Sequence, residues 1–399
     1  VFEQSGGIWT QQQKLVANNG LPDDNFGGTV AVSGSTAFVG SLGADGGAGG
    51  VYVFGRSGSM WTQQQELLAS DGVRGDGFGW SIAVSGSTAL IGSPQARIGT
   101  HANQGAAYVF EWSGTMWTQQ QKLSVPGGAA FDNFGYSVAI SGTTALVGAS
   151  GLNAGAVYVF NQSGGTWTQL QQLPAVQDGF GYSTAVFGTT ALIGAPSSAL
   201  AGAVYVFGLS GSTWTQQQKL SASNGFVADG FGCSVALSGA AALVGATNIF
   251  ASPGGSTSAL DAVFVFEQSA GSWTEQDEVV STGPPVLGGD NFGVAVALSG
   301  NNGVVGAPNQ DVGSKVEQGV VYFESAGPVG GGGGTGGGGA GTAGGGAGGS
   351  ATAGGNATGG GSATGGGSAT AGGSATAGGS ATAGGSATAG GSATAGGSA

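Results

Sequence analysis

Residues 132–173 read DNFGYSVAISGTTALVGASGLNAGAVYVFNQSGGTWTQLQQL, and this stretch decides the fold. From Ser137 to Ser141 apolar and small residues alternate with period 2, the spacing that sends successive side chains to opposite faces of a strand. The break Ser141-Gly142-Thr143-Thr144 reads as a tight hairpin, and the apolar run ALVGA follows it. VYVF at 157–160 is β-branched and aromatic, as a packed strand requires. The closing segment, seen undegraded as WTQQQKL at 117–123, sets Trp117, Gln119, Gln121 and Leu123 against Thr118, Gln120 and Lys122, which suits an outer strand with one face half covered. No helical period is present, so the stretch predicts four short strands.

The same pattern recurs along the chain. Trp of the WTQQQ segment stands at 9, 61, 117, 167, 214 and 273, spaced 47 to 59 residues apart. In step with it runs Asp-x-Phe-Gly, with Phe at 26, 78, 134, 180, 231 and 292. Four-stranded units repeated in this way are the mark of a β-propeller, here all-β and six-bladed. The chain opens on Val1-Phe2, the stub of a third strand, followed by a fourth strand at Trp9, and its last unit stops at VVYF, 320–323, without a fourth strand. These ends complement each other, which predicts that the amino-terminal strand closes the ring by completing the last blade. The same strand could instead complete a neighbouring molecule and turn closure into a polymer contact.

Order Phe-Gly, valine strand, Gly-Ala-Pro, Val-Tyr-Val-Phe over residues 1–324 resembles bacterial FG-GAP repeat proteins, related in fold to the propeller heads of integrin alpha subunits. That resemblance implies a cell-surface or extracellular interaction domain, not a reaction. It also implies DxDxDG-like calcium loops between the Phe-Gly and Gly-Ala-Pro strands. Here those loops are only SGST, SGST, SGTT, FGTT, SGAA and SGNN, so no metal and no cofactor is carried over.

Composition divides the chain into an FG-GAP-type propeller at 1–325, a Gly-rich linker at 326–349 and a hexapeptide GGSATA tail at 350–399. Of 90 glycines in 399 residues, about 23 per cent against a usual 7, 33 lie in residues 330–399. From Ser350 the tail keeps a strict six-residue period through Asn356, Ser362 and Ser368 to Ser398. It reads as a flexible stalk, as a silk-like strand of small residues, or as a polyproline-II-like helix suited to bundling. A net charge of −13 with seven scattered bases excludes nucleic-acid and anionic-membrane surfaces, and no apolar run approaches the roughly 20 residues of a membrane span.

Asp24, Asp76, Asp132, Asp178, Asp229 and Asp290 share one place in the unit, where Asp accepts backbone N–H bonds and stabilises a turn. The six motif phenylalanines, Phe26, Phe78, Phe134, Phe180, Phe231 and Phe292, are read as blade-to-blade core. The six repeating tryptophans are read as packing, because the architecture requires each of them. Trp80 and Trp112 lie outside that register and are the candidates for ligand contact. His101, the sole histidine, has no partners for general-base work, and Cys233, which replaces Tyr136 and Tyr182 of sister units, reads as a buried thiol. No nucleophile, base and acid stand out together, so the expectation is a non-enzymatic surface protein, structural or adhesive. Its partners would be its own copies, joined by the tail or by strand exchange, or a surface protein. The competing expectation is a glycan-binding, lectin-like propeller on a stalk.

Overall fold

The computed structural model describes residues 1–5, 8–151, 155–174, 179–196, 201–223, 230–247, 261–281, 290–312 and 318–325, together with five tail dipeptides. Contacts divide the chain into one unit holding Val1–Val329 with Gly338–Gly341 and a second holding the rest of the tail.

The first unit is a six-bladed β-propeller. Each blade is an antiparallel meander in sequence order. Blade 1 comprises Phe26–Ser33, Thr36–Ser41, Gly50–Ser57 and Met60–Leu67, and blade 2 Ser81–Ser85, Thr88–Ser93, Ala106–Trp112 and Trp117–Leu123. Blade 3 follows with Phe134–Ser141, Thr144–Ala149, Ala156–Ser163 and Thr166–Leu173, and blade 4 with Ser183–Phe187, Thr190–Ala195, Ala203–Ser210 and Thr213–Leu220. Blade 5 is Phe231–Ser238, Ala241–Ala246, Ala262–Ser269 and Ser272–Val280, and among the described residues blade 6 has three strands, Ala295–Ser299, Asn302–Ala307 and Val320–Ser325. Each first hairpin turns on two residues: in blade 3 Ser141 pairs with Thr144, and Gly142 at φ 57° supplies the left-handed conformation the turn needs.

Three devices join one blade to the next. The first is burial: Leu146, Val157, Val159 and Leu173 of blade 3 pack on Phe180, Ile193, Phe207 and Trp214 of blade 4, all fully or nearly fully buried. Each such side chain contributes about 1.5–3 kcal/mol. The second is a hydroxyl from the first strand to the Phe-Gly carbonyl of the next blade, at 2.6–2.9 Å: Thr29 to Gly79, Ser81 to Gly135, Ser137 to Gly181, Ser183 to Gly232 and Ser234 to Gly293. The third is an amide clamp. Gln65 Nε2 donates to the Trp117 carbonyl at 2.8 Å while Trp117 N–H donates back to Gln65 Oε1 at 2.9 Å. Gln121 holds Trp167, Gln171 holds Trp214, and Gln218 holds Trp273 in the same way.

A β-bulge makes the clamp work. In blade 3 Phe160 pairs with Gln169 but Val159 pairs with Gln171, leaving Leu170 as the extra residue, and blades 1, 2, 4 and 5 shift at the same place. The single-face alternation expected for WTQQQKL is therefore corrected. The inserted residue breaks the period, so Trp117 packs toward blade 1 beside Phe38, while Leu123, beyond the bulge, packs toward blade 3.

At the amino terminus, strand pairing with the last blade is not seen among the described residues. Phe2–Ser5 pairs with Ile8–Gln11 in a hairpin of its own, and among the described residues the third strand of blade 6 pairs only with the second. The fourth-strand segment at Trp9 pairs with its sequence neighbour, which needs a far shorter loop closure. The hairpin touches both flanking blades. Trp9 stacks on Phe323 of blade 6 at 4.2 Å, and Gln13 clamps Trp61 of blade 1 at 2.8 and 2.9 Å.

In the tail, Thr352–Ala353, Thr370–Ala371 and Thr388–Ala389 pair in parallel, as do Thr376–Ala377 and Thr394–Ala395, with Thr opposite Thr and Ala opposite Ala. The remaining tail residues, and with them the choice between stalk, silk-like strand and polyproline-II helix, lie outside the described residues.

Candidate functional site

The motif aspartates are placed by short connections ahead of each first strand. Asp24 accepts Leu21 N–H at 2.6 Å, Asp76 accepts Val73 N–H at 2.9 Å, and Asp132 accepts Ala129 N–H at 2.7 Å. Asp290 accepts Phe292 N–H at 3.1 Å instead. Their side chains turn into their own loops and do not converge. Asp178 and Asp229 lie outside the described residues. Phe78, Phe134, Phe180, Phe231 and Phe292 are fully buried, each edge-on to the third-strand aromatics of its own blade, as Phe134 is to Tyr158 at 5.5 Å. Phe26 alone is only half-buried.

Trp80 stands two residues after Phe78, the place taken by Tyr136, Tyr182 and Cys233 in the next three blades. Its ring lies 5.4 Å from Tyr136, whose ring lies 4.9 Å from Tyr182. These side chains form a row across consecutive inner strands. Burial pushes both phenols up, Tyr182 further because Tyr136 is beside it and hydrogen-bonded to it. Burial likewise pushes the Cys233 thiol up to about 11, so it stays protonated and unreactive at neutral pH. The row was legible once FGW, FGY, FGY and FGC were aligned; matching Trp80 only against the WTQQQ tryptophans concealed it.

Trp112 ends the third strand of blade 2 and is 41 per cent exposed. Its ring lies 5.7 Å from buried Trp117, and Met116 beside it is exposed. Together with Thr62, Gln64 and Arg56 of blade 1 it lines a cleft of about 580 Å³ between the two blades. Arg56 is held there by the Glu3 carboxylate and by donation to the Gly58 carbonyl at 2.9 Å. An amphipathic aromatic surface beside hydrogen-bonding side chains is chemistry for contact with a polar ring or chain. Trp80 thus packs in the inner-strand row, whereas Trp112 lines the cleft between blades 1 and 2.

His101 is exposed, with Nδ1 3.2 Å from Gln104 Oε1. Among the described residues no three His, Cys, Asp or Glu side chains gather to hold a metal ion, and no helix is long and apolar enough to cross a membrane.

Six stretches, 9–54, 61–110, 117–160, 167–207, 214–266 and 273–323, match the FG-GAP repeat. No curated protein matches the chain. Each matched stretch begins at the repeating Trp, which in every stretch after the first receives a clamp, and runs to the third strand of the following sheet; together they span most of the sequence, and this chain belongs to the FG-GAP repeat family.

Proposed function

We propose that this is a non-enzymatic extracellular or cell-surface protein, structural or adhesive, whose propeller head is presented or polymerised through its Gly-rich tail. The observation that carries the reading is in the tail. A strict hexapeptide period coincides with parallel pairing of like on like, Thr370 with Thr388 and Thr376 with Thr394, both offsets being whole multiples of the period. Small side chains in register favour stacking with further strands of the same kind, from this chain or another copy. Residues 330–399 carry no charge to oppose that stacking.

Removing residues 330–399 tests it. Assemblies seen by electron microscopy and light scattering with the full chain should disappear, while the thermal transition of the head is retained. Identical particles from the truncated head would defeat a tail-driven model. Half-exposed Trp112 in its cleft favours a second reading, a glycan-binding propeller; there, Trp112→Ala would abolish sugar binding and tail removal would leave it intact.

A further inference from the structure

One junction departs from the repeat near the turns between third and fourth strands. In blades 1 to 5 the residue paired with the repeating Trp is Arg56, Trp112, Gln162, Leu209 and Gln268. Where blade 3 follows blade 2, Gln162 Nε2 donates to Glu111 Oε1 at 3.1 Å and Thr88 Oγ1 donates to the same oxygen at 2.9 Å, so polar side chains bridge the junction. Where blade 2 follows blade 1, Gly55 stands in the place of Glu111 and Trp112 in the place of Gln162. No side chain reaches across from position 55, and the cleft of about 580 Å³ is what that leaves. Its size is within the roughly 300–1,000 Å³ of small-ligand sites. The walls are already ordered: Trp112 rests on buried Trp117, Ser113 Oγ ties the turn by donating to the Met116 carbonyl at 2.9 Å, and Gln64 Nε2 donates to Thr62 Oγ1 at 2.6 Å. Arg56 is the one charged residue of the lining, in a chain whose net charge is −13. Its Nε donates to the Gly58 carbonyl and its Nη2 to Glu3, while the other N–H groups of the fork make no hydrogen bond among the described residues. The Arg56 and Glu3 side chains are 38 and 35 per cent exposed, so their pair is weak and open to exchange with another carboxylate.

We propose that this cleft binds an acidic polysaccharide through a uronic acid residue. The proposal rests on the glycan-binding reading of Trp112 and names the sugar. A pyranose has a face of C–H groups, which lies against the exposed indole, and a rim of hydroxyls, which exchange hydrogen bonds with Thr62, Gln64 and Thr115. The ring carboxylate takes the Arg56 fork and displaces Glu3, whose own carboxylate shows that the guanidinium receives this group here. Both residues are needed together, because Trp112 alone holds any pyranose and Arg56 alone holds any anion. Only between blades 1 and 2 do a guanidinium and an aromatic ring occupy the matching positions of neighbouring blades; the following junctions set Trp112 beside Gln162, Gln162 beside Leu209 and Leu209 beside Gln268.

The cleft belongs to the head, so the proposal stands apart from tail-driven assembly. Trigalacturonate and its methyl ester, which keeps the rings and removes the charge, are titrated into the full chain by calorimetry. The acid is expected to bind one per chain, at least tenfold more tightly than the ester, and to weaken as salt is raised. Arg56→Gln should erase the difference between acid and ester. Glu3→Gln, which removes the competitor and keeps the guanidinium, should tighten the acid alone severalfold. Trp112→Ala should weaken both ligands at least tenfold, and the thermal transition of each variant checks that the head is folded. Equal binding of acid and ester that Trp112→Ala abolishes overturns the uronate proposal and leaves the glycan reading standing, whereas binding that survives Trp112→Ala overturns both. No saturable binding of trigalacturonate or of trimannuronate overturns the proposal, as does tighter binding of a triglutamate peptide than of either.

Discussion

Gln121 shows how much one side chain does at a junction. Its single amide satisfies both backbone groups of Trp167, on the outer strand of the next blade where they would otherwise face solvent or stay unpaired. Gln121→Ala removes a donor and an acceptor at once and is expected to lower stability by about 1–3 kcal/mol, read by denaturant unfolding. Gln120→Ala, one position away on an exposed side chain, should change it little. At the matching place in blade 5 stands Asp277, whose carboxylate cannot donate to a carbonyl, and among the described residues blade 6 shows no fourth strand to be clamped. Cys233 adds a pH-dependent term. Its thiol is raised to about 11 in the folded chain against about 9 when unfolded, so it stabilises fully below pH 9, and that contribution is lost as pH climbs through 11. Cys233→Ala should flatten the fall of Tm between those limits. In the native protein the thiol should resist a disulfide reagent at pH 8 and react on unfolding.

At the scale of strands, glycine sets the distance between blades. Gly148→Ala forces a methyl within 2.2 Å of the Gly181 carbonyl and 2.3 Å of Ser137 Oγ, and is expected to cost about 1–3 kcal/mol. Gly306→Ala, at the same place in blade 6, should be close to neutral; equal losses in a pair of melting curves would mean that the blade 6 face is covered. The strands themselves were legible in the residues, since alternation in SVAIS, the Ser-Gly turn and VYVF each carry a period or a breaker. The bulge was not. WTQQQKL alternates without interruption as text, and only pairing with VYVF reveals that Gln120 or Leu170 is one residue too many. Trp112 was legible as an outlier, but its cleft was not, because Thr62, Gln64 and Arg56 come from another blade.

For the whole molecule, the six-fold repeat was enough to read the propeller, whereas the way the ends meet was beyond it. Val1-Phe2 is a third-strand fragment under either arrangement, and the repeat pattern does not encode which third strand the Trp9 segment joins; it pairs with Phe2–Ser5. Five junctions carry the burial and hydroxyl contacts, while the interval between blade 6 and blade 1 is spanned by the amino-terminal hairpin, through Trp9 on Phe323 and Gln13 on Trp61. A blade in the middle is held by two such junctions, whereas blade 6 has one and, on its other side, the ring contacts of Phe2 and Trp9 with Phe323. Opening therefore starts there and moves inward, one nearest-neighbour contact at a time. Amide hydrogens in the second and third strands of blades 3 and 4 should exchange slowest and those of blade 6 fastest, a gradient that hydrogen-exchange mass spectrometry resolves and that uniform protection across the blades would rule out.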